Sequence, residues 1–159
     1  MKIDVVSWNF FRKISHTSRE REILDECRVI SILDSGGPFA RSPFSPDVRR
    51  SPHLLTLRFD DYADGAEAIH DGATLCGKAD IRKIVSFVRD DGLPLYVHCA
   101  AGMSRSGAVG IAMDEHFNLR TGNQADHAYF VERNPGLHPN PLVFRLLRDA
   151  LGASLTEKT

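Results

Sequence analysis

Leu95-Tyr-Val-His-Cys-Ala-Ala-Gly-Met-Ser-Arg-Ser-Gly107 is the stretch that decides the fold. Leu95 to Val97 is an apolar run of the length of a buried strand. His98-Cys99 closes it, small residues turn the chain, and Arg105-Ser106-Gly107 opens a helical pattern carried by Val109, Ile111, Ala112 and Met113. Strand, tight loop and helix N-terminus in that order make an anion cradle, because the N–H groups of the loop and first turn lack partners and converge. Cys99 is expected at its base and Arg105 at its rim.

The residue types fit phosphoryl chemistry. A free thiol has a pKa of about 8.5, and N–H donors, a helix N-terminus and a nearby Arg all favour the thiolate. A thiolate in an anion-sized bowl is placed to attack phosphorus. Arg105 offers a planar fork matching two phosphoryl oxygens, which Lys cannot reproduce. Ser106 can donate to the sulfur as it leaves, and Gly102 and Gly107 permit torsions or close approaches that a side chain would obstruct.

His98-Cys99-x5-Arg105-Ser106 resembles the signature loop of the cysteine-dependent protein tyrosine phosphatases, and its Ala-Gly-x-Ser-Arg-Ser filling is most similar to the dual-specificity branch. The resemblance implies Cys99 as nucleophile and Arg105 as binder of phosphate and transition state. Ser106 assists thiolate departure. The cradle comprises Ala100, Ala101, Gly102, Met103, Ser104 and Arg105, and His98 orders the loop beneath the sulfur. No cofactor and no metal are implied, and the histidines have no spacing of metal ligands.

Around this stretch, 159 residues with 42% hydrophobic and 26% charged side chains describe one globular α/β domain, expected over 1–153 with a polar tail over 154–159. A net charge of −1 without a long basic run argues against nucleic-acid or membrane-surface partners. No apolar run approaches a membrane span, and Met1-Lys2-Ile3-Asp4 does not begin like a signal peptide. Three cysteines at irregular spacing make no disulfide framework, so the expected compartment is the cytoplasm, where a thiolate stays reduced. Oligomeric state is not legible.

In chain order, strands are expected over Ile3–Trp8, Arg28–Leu33 and His53–Phe59 before the signature strand. Asn9–Thr17 reads as a loop, and Ser18 as the cap of a helix over Arg19–Glu26. Gly36 to Pro52 holds four prolines and no periodicity, a long surface loop serving either recognition or nothing. Lys78–Asp90 is an amphipathic helix with Ile81, Ile84, Val85 and Val88 on one face. After the helix that starts near Arg105, Asn123 or Thr121 caps Gln124–Arg133, and Pro139-Asn140-Pro141 starts a last helix over Leu142–Leu151. Strands alternating with helices predict a short central sheet covered on both faces.

The leaving alkoxide or phenolate needs a proton, and a carboxyl on a loop after a neighbouring strand can supply it. Phe59-Asp60-Asp61 stands there and resembles the acid loop of some dual-specificity relatives, whose second Asp donates; this points to Asp61. Its interval to Cys99 is somewhat long and Asp64 follows, so Asp60 and Asp64 remain candidates. Asn140 either reaches the site or caps the last helix. Some family members guard the nucleophile through a disulfide with a second cysteine; Cys27 and Cys76 are read as inert thiols. The expected activity is metal-independent hydrolysis of phosphotyrosine in phosphoprotein, with dual specificity open. The alternatives are a phosphoinositide or RNA 5′-phosphate substrate, though the cradle lacks the Lys of lipid-directed members, or a catalytically silent phosphate-binding module.

Overall fold

A computed structural model describes the backbone of residues 1–156 and the side chains of 1–152. Among these, four β-branched or apolar runs form one all-parallel sheet: β1 (Ile3–Ser7), β2 (Arg28–Leu33), β3 (Leu54–Arg58) and β4 (Leu95–Cys99), in the order β1-β4-β2-β3. β4 lies between β1 and β2, with Leu95 opposite both Ile3 and Arg28, while Ser7 pairs with Cys99 and Ser31 with His98. Parallel strands end at one edge, so the chain leaving β1, β2, β3 and β4 passes the same region, which is where open α/β sheets place their ligands.

Alternation along the strands divides the core in two. Val29, with Val6, Leu54 and Tyr96, faces Phe11 of α1 (Trp8–Ile14) and Ile23 and Leu24 of α2 (Ser18–Glu26). Ile3, Ile30, Leu95, Val97 and Cys99 face the other way, against α4 (Lys78–Phe87), α5 (Arg105–Asp114), α6 (Gln124–Arg133) and α7 (Pro141–Thr156). Helices thus cover both faces as expected. α5 has no polar face, because all its residues except Ile111 are buried. At the β1 edge, the Asn134 side chain accepts from the Val5 N–H at 2.6 Å and donates to the Ile3 carbonyl at 2.9 Å, which satisfies an edge that would otherwise be open.

Several boundaries differ from the sequence expectation. Asn9–Thr17 is mostly helix rather than loop: α1 starts at Trp8, where the Ser7 hydroxyl accepts from Phe10 N–H, so β1 stops one residue early. Thr17, not Ser18, is the N-cap position of α2, without a side-chain bond. Asp64 accepts from the N–H groups of Ala66 and Glu67 and starts an unexpected short α3 (Gly65–His70). α4 ends at Phe87, short of Asp90, and a π-helical turn, Glu115–Leu119, extends α5. Asn123 does cap α6, accepting from Asp126 N–H. α7 runs past Leu151 to Thr156, taking in the start of the expected polar tail, whose residues 157–159 lie outside the described ones.

The largest correction concerns residues 36–52. They are not simply surface: two 3-10 turns, Pro38–Ala40 and Pro46–Val48, lead Phe44 into the α1/α2 core at 1% exposure. Burying that ring contributes about 1.5–3 kcal/mol. Buried Glu20 of α2 anchors the segment by accepting from Ser45 N–H at 2.8 Å and Ser45 Oγ at 2.6 Å. A single anchor ring gives no periodicity, so the sequence pattern is silent about it.

Candidate active site

Cys99 ends β4, is 1% exposed, and its Sγ lies 3.0 Å from Ser106 Oγ. Burial pushes the thiol up, but the Ser106 hydroxyl, the N–H groups of Ser106 and Met103, and the Arg105 charge together bring it below its ordinary value. Cys27 and Cys76 lack such donors and move the other way: burial first, with nearby carboxylates adding to it, raises Cys27 and pushes Cys76 up to about 12. All three are free thiols.

The loop from Ala100 to Ser104 holds its shape through its carbonyls. Trp8 N–H donates to Ala100 O, His138 N–H to Met103 O and Asn140 N–H to Ser104 O, at 3.1, 3.2 and 3.0 Å. Gly102 takes φ +74°, and a Cβ there would lie 2.5–2.6 Å from the Val6–Ser7 backbone, so only glycine lets the loop sit against the end of β1. Ser104 occupies the N-cap of α5, yet its hydroxyl donates to Asp61 Oδ1 at 2.7 Å instead of capping, which leaves the first turn of α5 free to serve the site, with the Ser106 N–H on the Cys99 sulfur.

Beneath the loop, His98 is fully buried. A carbonyl can only accept, so Nδ1–H donates to Cys99 O at 3.2 Å and Nε2 accepts from the Ser31 hydroxyl at 2.7 Å. Burial dominates and pushes the imidazole down to about 4, with the nearby Arg105 charge adding to it. The ring is therefore neutral near pH 7 and serves as a fixed hydrogen-bonding strut.

Arg105, 3% exposed, is held from two sides. Its Nη1 donates to Phe59 O at 2.7 Å and lies 2.7 Å from Asp34 Oδ1, an ion pair whose direction does not make a hydrogen bond. Its Nε, although buried, has no hydrogen-bond partner among the described residues. Asp34, the residue after β2, was not among the residues singled out by the sequence. The parallel order is the signal that could have found it, since the residue after each strand arrives at the same edge.

The three candidate acids separate by geometry. Asp60 accepts from Ser35 N–H, Ser35 Oγ and Thr74 N–H at 2.8, 2.5 and 2.8 Å. Burial raises its carboxyl, but these bonds outweigh that and hold it below the usual range. Asp64 is occupied in capping α3. Asp61 is exposed and meets the cradle through Ser104, and its Oδ1 also accepts from Asn140 Nδ2 at 2.8 Å. Asn140 does both things considered for it, because its Oδ1 accepts from Val143 N–H at 3.1 Å and caps α7. A cavity of about 630 Å³ opens over Arg105 between Asp34, Asp60 and Asp61. Among the described residues, no group of three or more His, Cys, Asp or Glu is arranged to hold a metal ion.

No family model and no curated protein sequence matches the chain. Solved structures do. A crystal structure of PTPMT1 in complex with PI(5)P superposes with a TM-score of 0.56 at 15% identity, covering 99% of this chain and 95% of that one. A second PTPMT1 structure gives 0.53 at 17%, covering 98% and 95%. The PTP-2 phosphatase of Cydia pomonella gives 0.51 at 17%, covering 94% and 85%. The chain has the fold of these phosphatases. Among the described residues, no helix is long and apolar enough to cross a membrane.

Proposed function

We propose that the chain is a metal-independent phosphomonoesterase acting through a phosphocysteine, with phosphotyrosine in phosphoprotein as its substrate. One observation carries the reading: of three buried thiols, Cys99 alone is drawn toward the thiolate, by donors that ring an anion-sized loop. Arg105 Nε, unpartnered beside that loop, supplies the second half of a fork for phosphoryl oxygens.

The Cys99 thiolate attacks phosphorus while the P–O bond to the leaving group breaks. Asp61, in its acid form, gives its proton to the departing oxygen. Arg105 and the cradle N–H groups hold the equatorial oxygens, where charge accumulates. A water then attacks the phosphocysteine and passes its proton to the Asp61 carboxylate. The S–P bond breaks, and the Ser106 hydroxyl donates to the returning thiolate. Asn140 and Ser104 position Asp61, and Asp34 positions Arg105.

Hydrolysis of p-nitrophenyl phosphate in EDTA, from pH 5 to 8, tests the assignment. Wild type should turn over, Cys99→Ser should be inert, and Asp61→Asn should lose about 10²-fold or more together with the alkaline fall in rate that an acid donor imposes. Substantial turnover by Cys99→Ser would sink the mechanism. An inert wild type that still binds phosphate would favour a phosphate-binding module instead.

Phosphoinositide hydrolysis is the second reading, favoured by the shared fold with PTPMT1, which was solved with PI(5)P. Against it, the cavity over Arg105 is lined by Asp34, Asp60, Asp61, Glu67 and Asp71, and Ala100, Ala101 and Met103 bring no cation for a second headgroup phosphate. An RNA 5′-phosphate meets the same carboxylates. Phosphoprotein therefore stands first.

A further inference from the structure

The cradle lies between two surfaces of opposite charge. On the Arg105 side is the carboxylate-lined cavity, with Glu67 and Asp71 of the α3 region among its lining residues. On the other side, a groove of about 730 Å³ runs between α1 and the proline-rich segment, lined by Trp8, Arg12, His16, Arg41, Phe44 and Arg49. The two are neighbours: Gly36 lines the cavity and Gly37, at φ +76°, lines the groove, so the residues after β2 form the ridge between them. Trp8 ties the groove to the cradle, since its backbone N–H holds Ala100 O and its indole N–H donates to Arg41 O at 2.8 Å.

The groove is an unsatisfied cationic surface. The exposed guanidinium groups of Arg12 and Arg41 make no hydrogen bond or ion pair among the described residues. Among the same residues, Arg49 spends only its Nε, on Phe44 O at 3.0 Å. The nearby acids are engaged elsewhere: Glu20 is turned inward onto Ser45 and His16 N–H, and Asp47 pairs with Arg21 at 3.0 Å. Several free cations gathered along one groove beside an anion site call for further negative charge on the same ligand. A uniformly anionic ligand, such as a nucleic acid, would meet the carboxylates across the ridge. A peptide can carry acidic residues on one flank and neutral or basic residues on the other.

We infer that the substrate is a phosphopeptide with acidic residues on one flank of the phosphorylated residue, seated in the Trp8/Arg12/Arg41 groove, and non-acidic residues on the flank facing Glu67 and Asp71. This rests on the reading of the cradle as a phosphoryl-transfer site and names its substrate class. The proline-rich segment thereby gains a role as one wall of the substrate groove.

The test uses phosphotyrosine peptides of equal length: acidic before and basic after, the reverse, and neutral on both sides. The enzymes are wild type, an Arg12→Gln, Arg41→Gln double variant, and a Glu67→Gln, Asp71→Asn double variant. In wild type, one of the two polar peptides should exceed the neutral one in kcat/KM by about tenfold, the sum of two or three exposed charge pairs, and the reverse peptide should not. The advantage should shrink as salt rises. Arg12→Gln, Arg41→Gln should remove it and Glu67→Gln, Asp71→Asn should reduce it, both with p-nitrophenyl phosphate hydrolysis unchanged. Equal rates for all three peptides would overturn the inference. So would a preference that survives Arg12→Gln, Arg41→Gln, a parallel loss of aryl phosphate hydrolysis, or faster hydrolysis of a short-chain phosphoinositide with the same arginine dependence. A wild type inert on every ester, yet binding one polar peptide by fluorescence anisotropy with that arginine dependence, would defeat the phosphatase reading and leave the groove standing.

Discussion

Cys99, Cys27 and Cys76 are all buried free thiols, so burial cannot be what distinguishes Cys99. The difference lies in the donors, of which the Ser106 hydroxyl is the first. Ser106→Ala should therefore slow alkylation of Cys99 by iodoacetamide at pH 6 by about fivefold, the worth of one hydrogen bond of about 1 kcal/mol. An unchanged alkylation rate would mean that the loop N–H groups suffice. At Arg105, Lys cannot keep both the Phe59 carbonyl and a two-pronged grip on phosphate. Arg105→Lys should lose about 10- to 100-fold in kcat/KM even though the charge remains, as steady-state kinetics can check. The candidacies of Cys99, Arg105 and Ser106 were legible because a contiguous loop carries them. The Asp34 ion pair was not, because it links residues far apart in sequence through the strand order.

At the scale of elements, the cradle depends on how closely the loop and α5 approach β1. Gly102→Ala would drive a Cβ into the Val6–Ser7 backbone at a residue with φ +74°. The loop must move or the strand end must yield, at a cost of about 2 kcal/mol or more and a Tm lower by about 5 °C. Activity should fall further than stability, because the Met103 and Ser106 N–H groups leave the sulfur; calorimetry and kinetics on one preparation separate the two. Long periodic elements such as α4 were legible, whereas α1 and α3 were not. Each is about two turns long, and each is set by a cap, Ser7 or Asp64, more than by an apolar stripe. Asn140 illustrates the same limit: one side chain caps α7 and holds Asp61, and spacing alone could not assign both.

Across the whole molecule, His98 joins the α1/α2 core to the site. It stands on β4 against the rings of Phe11 and Phe44, at 5.4 and 5.9 Å, directly under the cradle. Its imidazole is depressed from an unfolded value of about 6.5 to about 4, so below pH 6.5 the unfolded chain binds a proton that the folded chain refuses. That contribution is present above pH 6.5 and is lost as pH falls toward 4, by an amount on the order of 3 kcal/mol. Denaturant midpoints should drop between pH 7 and pH 5, and His98→Gln should flatten the drop; equal slopes would show that other groups govern it. The two-faced α/β plan was legible from alternating strands and helices. The charge division across the site was not, since Arg12, Arg41 and Arg49 converge only through the fold.

In the proposed mechanism the phosphoryl group passes through Cys99. The most direct measurement is an acid-quenched reaction with p-nitrophenyl phosphate in EDTA, followed by mass spectrometry of the peptide that contains Cys99. One added phosphoryl group is expected on Cys99 during turnover, longer-lived in Asp61→Asn, where no carboxylate activates the water, and absent from Cys99→Ser. Turnover at a normal rate with no phosphorylated Cys99 at any quench time, or with the phosphoryl group on another residue, would contradict it.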